Sequence, residues 1–250
     1  PPPPTEKKGR NLVVCIDGTA NQFSINNTHV VELYSRLEKN DEQLTYYNSG
    51  IGTFVKHSNW IGWLIQLIIH IWDMMVAWNL KRIVLSAYQW LSENYQPGDH
   101  IYVFGFSRGA YQVRILAGMF EVVGLLHKGN NDQIGFAYEL YLACVSQLSR
   151  GSPMYESSDL ADDQNIDPQD PRYHWELCKQ FKRTLCHKSA RVHFVGAWDT
   201  VSSVGITRGP SLPETTTGMT HVCGFYHGIS LDEGRGKFLP EYGNGGKGPG

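Results

Sequence analysis

No C-x-x-C pair occurs among the five cysteines, Cys15, Cys144, Cys178, Cys186 and Cys223. An odd count without paired spacing argues against a disulfide framework and a thiolate zinc site, and favours a reducing, cytoplasmic setting. An excess of positive charge is absent too: Lys and Arg total 22 against 24 Asp and Glu, for a formal net charge of -2. There is no basic field to attract nucleic acid or an anionic membrane, so no nucleic-acid partner is expected. No repeat recurs along the chain. Long hydrophobic runs are also lacking. The most apolar stretch, "NWIGWLIQLIIHIWDMMVAW", is interrupted by Gln66, His70 and Asp73 and falls short of the roughly 20 apolar residues a spanning helix needs. It reads as a core-facing helix or, alternatively, as an apolar flap for peripheral membrane contact through Trp60 to Trp78.

What is present fits one domain, since 250 residues can bury one sizeable core but not two comfortable ones. Residues 1–10, "PPPPTEKKGR", form a Pro-rich, solvated lead-in. The domain is expected over 11–242, and the Gly-rich tail 243–250 has no pattern that could pack. Short apolar runs alternate with helical spacing: "NLVVCI", "LTYYNSGIGTF", which closes on two glycines, "HIYVFGF" and "ARVHFVGAW" read as strands. Ile83, Ala87, Trp90 and Leu91 recur at helical spacing ahead of "QPGD", and Ala110, Val113, Ala117 and Phe120 do so ahead of Gly124. The polar region from Lys128 to Lys188, with helices at "FAYELYLACVSQL" and "WELCKQFKRTL" flanking an acidic loop, reads as an insertion between core strands. The class is α/β, with a mostly parallel, doubly wound sheet.

One short segment carries chemistry. "GFSRG" places Ser107 between Gly105 and Gly109 where a strand pattern gives way to a helix pattern. Chance alone delivers G-x-S-x-G in roughly one of six chains of this size and glycine content, so the context must carry the inference. A sharp strand-to-helix turn projects the hydroxyl from the sheet, and the helix N-terminus aims amide hydrogens at a developing oxyanion. Gly105 and Gly109 are required because side chains there would collide with the turn. The competing reading is a serine that only caps the helix.

A serine needs a base and an acid to orient it. Asp199 in "FVGAWDT" follows a strand and suits the acid; its competing reading is a turn cap. Asp162, Asp163, Asp167 and Asp170 lie in a polar loop that cannot hold a base-orienting carboxylate. His221 and His227 are the histidines after Asp199, and His227 is the better placed as base. The oxyanion donors fall to the Arg108 amide and to Gly18 or Thr19 in "CIDGTAN". "DGT" also resembles a haloacid-dehalogenase phosphatase motif, but Cys15 stands where that chemistry needs an aspartate.

In order along the chain, "VVCIDGTANQ", "YYNSGIGT", "AYQWLSENYQPGDHIYVFGFSRGAYQVRILAGMFEVVGLL", "VHFVGAWDTVSSVG" and "HGISLDEGRGKFLP" resemble the α/β-hydrolase-like family that includes the bacterial type VI secretion phospholipase effectors. The resemblance covers most of Asn11 to Pro240. It implies an ester hydrolase, a phospholipase in the effector members, with Ser107 as nucleophile and Asp199, in the family's W-D-T segment, as triad acid. The family's triad histidine lies in a Gly-x-His-x-Asp-Val-Gly-Gly stretch that this sequence lacks, and His227 matches an earlier family position. Ala20-Asn21 replaces the family's Trp-Asn after D-G-T.

The expectation is therefore a serine hydrolase that cleaves carboxylic esters, phospholipid esters included, through an acyl-enzyme, with no metal and no organic cofactor. An acyltransferase would share that intermediate. The alternative is a binding module that keeps the scaffold but lacks the triad histidine. Nothing in the sequence sets the oligomeric state.

Overall fold

The computed structural model describes residues 9–18, 27–50, 62–149, 166–200 and 221–229, with only the helical backbone described for 62–77. The lead-in up to residue 8, the acidic loop over 150–165 and the tail lie outside the described residues. Five strands, β1 (Asn11–Ile16), β2 (Gln43–Asn48), β3 (His100–Phe106), β4 (Val192–Trp198) and β5 (Gly224–Gly228), form one sheet in the order β2-β1-β3-β4-β5. Every pairing is parallel. A parallel sheet needs cover on both faces, and its strands therefore read as apolar runs rather than alternations.

The cover is unequal. On one face Leu12, Val14, Ile16, Ile101, Val103 and Val195 pack into the large core. That core is built with α2 (Gly62–Asn94), α3 (Arg108–Val122), α4 (Ile134–Ser149) and α5 (Tyr173–Leu185). On the other face Val13 and Cys15 meet Val30 of α1 (His29–Arg36), with Tyr34, Tyr47, Phe104 and Trp198 around them. Burial pushes the Cys15 thiol up to about 12, so it behaves as a small apolar side chain.

The segments expected as strands form β1 to β4, and the two helices flanking the acidic loop are α4 and α5. Cys144 of α4 and Cys178 of α5 face each other with Sγ atoms 3.2 Å apart, both buried and reduced. α3 ends where the sequence suggested: the Gly124 amide donates to the Met119 and Phe120 carbonyls, and Gly124 adopts φ +79°. Three features differ from the sequence reading. The apolar stretch and the periodic segment after it are one continuous helix of 33 residues. α1 went unread, although the Thr28 hydroxyl caps it by accepting from the Val31 amide at 3.3 Å. The segment around His227 is the fifth strand, because Phe225 and the small residues beside it pair along β4.

The foot of the sheet is fastened where the lead-in ends. Asp99 accepts from the Arg10 amide at 3.0 Å, from Arg10 Nε at 3.2 Å and from Nη2 at 2.7 Å. It also accepts from the Gln96 amide at 2.9 Å. Burial would raise the Asp99 carboxyl, but the Arg10 guanidinium and the two amides outweigh it and hold the group below its ordinary 3.8. A carboxyl lowered on folding contributes stability at neutral pH that is lost as pH falls through the folded-state value. Asp99→Ala is expected to cost about 2 kcal/mol in urea unfolding at pH 7, the range for charge-assisted hydrogen bonds. The deficit relative to wild type should shrink below about pH 4; a constant deficit from pH 7 to pH 3 would contradict the assignment.

Candidate active site

Ser107 and Asp199 sit one residue beyond the ends of neighbouring parallel strands. Phe106 pairs with Trp198 and Trp198 with Gly228, so both lie at the carboxyl edge of the sheet, where α/β proteins place function. Each is fixed by a ladder bond past its strand: the Ser107 amide donates to the Trp198 carbonyl at 2.8 Å, and the Asp199 amide to the Gly228 carbonyl at 2.9 Å. These are the two non-glycine residues with positive φ among the described residues, 54° for Ser107 and 45° for Asp199.

Such a backbone is strained for a residue with a side chain and persists only where its surroundings over-determine it. For Ser107 the surroundings are visible. A Cβ on Gly105 would stand 2.4 Å from the Gly109 carbonyl oxygen, and one on Gly109 would stand 2.1 Å from the Ile16 carbonyl oxygen. Strand β3, the start of α3 and the exit of β1 thus meet backbone to backbone. Ser107 is the N-cap of α3 with ψ -118°, yet its hydroxyl makes no capping bond. That geometry argues against a serine placed only to cap the helix, which would accept from an amide of the first turn. The Arg108 amide, first of the helix, has no intrahelical acceptor and lies beside the hydroxyl.

The other candidates fall into two groups. Gly18 lies two residues past the end of β1 and is buried, but its amide donates to Asp17 Oδ1 at 2.7 Å. It is committed to a carboxylate that an oxyanion would have to displace. Thr19 lies outside the described residues. His227 is on β5, two strands from β3, paired with Ala197 and so a step below Asp199. Its Nε2 accepts weakly from the Thr200 amide at 3.4 Å. Burial, with the Arg114 guanidinium second, lowers the imidazole below its ordinary 6.5, while Asp199 pulls the other way. Asp199 and His227 are therefore brought into each other's field; no hydrogen bond joins His227 to Ser107 among the described residues. His221 senses Glu121 near the far end of α3, a helix of 15 residues and so roughly 22 Å from the elbow.

Sequence reasoning missed two groups here. Asp17, 1% exposed, was read only as a turn residue. Its Oδ2 accepts from Thr28 Oγ1 at 3.0 Å and from the Tyr47 hydroxyl at 3.2 Å. Arg114, fully buried on α3, holds its guanidinium 5.8 Å from the centre of the Phe225 ring. An arginine at a core-facing helical position was the available signal. Among the described residues no group of three or more His, Cys, Asp or Glu side chains could hold a metal ion, and no helix is long and apolar enough to cross a membrane.

The tight contact at the elbow sets a testable cost. Gly109→Ala is expected to lower stability by roughly 1–3 kcal/mol, the usual penalty for forced overpacking, read as a fall in the thermal midpoint. Gly135→Ala, with open space around its added Cβ, serves as the control; equal midpoints for the two variants would show that the elbow is not close-packed.

A family model described as T6SS, Phospholipase effector Tle1-like, catalytic domain matches residues 10–247. The chain is 37% identical over 243 residues to the uncharacterized protein YEL023C of Saccharomyces cerevisiae, an alignment covering 92% of this chain and 32% of that protein. It thus spans 32% of the length of the curated relative it matches. No solved structure matches.

Proposed function

We propose, for a chain that belongs to the Tle1-like phospholipase effector catalytic-domain family, a serine hydrolase on an α/β-hydrolase-like, doubly wound scaffold that cleaves carboxylic esters of lipids through an acyl-enzyme. One observation carries the serine assignment: Ser107 holds φ 54° and ψ -118° at the strand-to-helix turn without using its hydroxyl as a cap. The hydroxyl oxygen attacks the ester carbonyl, a histidine takes its proton and returns it to the leaving alcohol, and water then repeats the sequence on the acyl-serine. The Arg108 amide faces the developing oxyanion, aided by the positive end of α3. With the Gly18 amide turned to Asp17, Thr19 is the better second donor of the pair. Asp199, level with Ser107 on the next strand, orients the base. His227 is the histidine closest to that role by its proximity to Asp199, and it serves only if its ring leaves the Thr200 amide.

Helix lengths support a lipid substrate. α3 and α4, of 15 and 16 residues, match the roughly 23 Å height of a seven-residue strand. α2 has 33 residues, about 50 Å. It ends at Asn94, just before the foot of β3 at His100, so its amino-terminal half runs past the edge that carries Ser107. That half is the apolar one, bounded in the described residues by Trp78, 66% exposed, with the Arg82 guanidinium 5.5 Å from its ring centre. Peripheral contact of this half with a bilayer would bring acyl chains to the serine.

A second reading, a binding module on the same scaffold, draws on the engagement of His227 with Thr200 rather than Ser107. A fluorophosphonate probe followed by intact mass separates the two. Wild type should label once and Ser107→Ala should not; a folded wild type that never labels favours the module. With His227 as base, His227→Ala labels about 100-fold slower or worse. A base must be neutral to act, and burial lowers this one. The labelling rate should therefore hold constant through pH 6.5, His227's ordinary value, and fall only in more acid solution. Labelling indifferent to His227→Ala removes that residue from the mechanism.

A further inference from the structure

Strands β3 and β4 do not keep a single register. Ile101 pairs with Val192 and Tyr102 with Phe194, so β4 carries one residue more than β3 at this point and His193 has no partner residue in the ladder. A bulge of this kind leaves the extra residue outside the pairing and re-aims its side chain. Here the side chain enters the ladder instead: the Ile101 amide donates to His193 Nδ1 at 3.1 Å. Ile101 is fully buried, and a buried amide without an acceptor is costly. The imidazole therefore does the work of a strand carbonyl.

An amide can only donate, so Nδ1 is the unprotonated nitrogen and Nε2 carries the hydrogen. A second proton would have to sit on Nδ1, where it would meet the Ile101 N–H and set two donors against each other. The surroundings oppose that proton as well. From β3 the ring is faced by His100, with ring centres 4.6 Å apart, and by Tyr102 at 6.4 Å. Arg191 stands at the entrance to β4, and Gly224 of β5, which pairs with Phe194, brings no charge. Beside His100 the Arg10 guanidinium is paired with Asp99. Burial first, then His100 and Arg191, lower the imidazole below its ordinary 6.5, against a smaller upward pull from the Arg191 main chain. We infer that His193 is an acid-sensitive pin: neutral, it holds β3 and β4 together across the register shift, and protonated, it releases the Ile101 amide and loosens the foot of both strands. Those strands lead at their other ends to Ser107 and Asp199, and the pin operates whether or not Ser107 is a nucleophile. As pH falls through about 6.5 the unfolded chain takes up the proton first. The stability that the neutral ring supplies is thus complete above that pH and declines below it.

The test is NMR of the 250-residue chain. Long-range nitrogen–proton correlations at pH 7 should show His193 with Nδ1 unprotonated and Nε2 protonated. Protection of the Ile101 amide against hydrogen exchange, corrected for the intrinsic effect of pH, should fall about 10-fold or more between pH 7 and pH 5, the scale of one hydrogen bond lost from a buried donor. Protection of the Val103 amide, further along the same strand, should fall less. In His193→Asn, whose side-chain oxygen can accept in place of Nδ1 and does not titrate, Ile101 should stay protected at both pH values. In His193→Leu, which has no acceptor, it should be poorly protected at both. A proton found on Nδ1 at pH 7, an Ile101 protection that ignores pH, or a fall that persists in His193→Asn overturns the pin. Equal losses at Ile101 and Val103 overturn it too, since they report the whole sheet opening. Where His193→Asn does not fold, the wild-type tautomer and the comparison of Ile101 with Val103 decide.

Discussion

Three backbones converge at the carboxyl edge of the sheet, and the contact tolerates no side chain. Gly109 rests on the Ile16 carbonyl, Gly105 rests on the Gly109 carbonyl, and Gly50 rests on the Asp17 carbonyl. With no Cβ at any of these positions, β1, β3 and the first turn of α3 approach to distances that ordinary residues forbid. The approach fixes the direction in which α3 leaves the sheet. It also holds Ser107 at positive φ, since the chain has no room to relax toward the elbow's neighbours. The rest of the site hangs on this point: the Arg108 amide follows from where α3 starts, and the Asp17 network follows from where β1 stops.

The interior beneath the elbow supplies the stiffness. In α3, every residue from Gly109 to Phe120 is buried, so the helix that receives the strained turn cannot shift without disturbing the core. Tyr88 of α2 donates its hydroxyl to the Gly124 carbonyl and accepts from the Leu126 amide, pinning the far end of the same helix. Burial raises that phenol far above its ordinary range, so it stays neutral and keeps both bonds. Close-packed interiors transmit such constraint rather than absorb it. A turn costing of order 1–3 kcal/mol is sustained by this arrangement.

How far the sequence alone reaches depends on which force sets each feature. β1, β3 and β4 were legible because a parallel sheet covered on both faces leaves runs such as "NLVVCI" with no polar interruption. Ser107 was legible because the turn demands glycine at 105 and 109, and that demand is local. α1 was not, because its helical signal is eight residues long and its stability comes from Val30 against Val13 and Cys15 rather than from propensity. β5 was not, since "GFYHG" has two glycines and earns its place only by pairing with β4. Asp17 was seen but misvalued: its partners Thr28 and Tyr47 lie 11 and 30 residues away in sequence, and no pattern announces a network closed at that range. For His227 the sequence offered chain order; the structure adds Thr200 as a partner, which chain order does not contain.

Backbone and side chains bear differently on whether the scaffold is catalytic. A serine at φ 54° supports the proposed hydrolase over a binding module, because a glycine or an asparagine would make the same turn with less strain. Asp199 also takes positive φ, 45°, one residue beyond the adjoining strand, a conformation that aspartate enters at little cost. The strain at Ser107, anchored by a bond of 2.8 Å beyond its strand, supports the proposed hydrolase, since strain of this kind clusters at functional sites. The imidazole argues less strongly in the other direction. A bond of 3.4 Å from the Thr200 amide lies outside the range of strong N–H donors, and its release asks little of the ring. A weak side-chain bond is more readily rearranged than a close-packed elbow, so the elbow is the weightier observation.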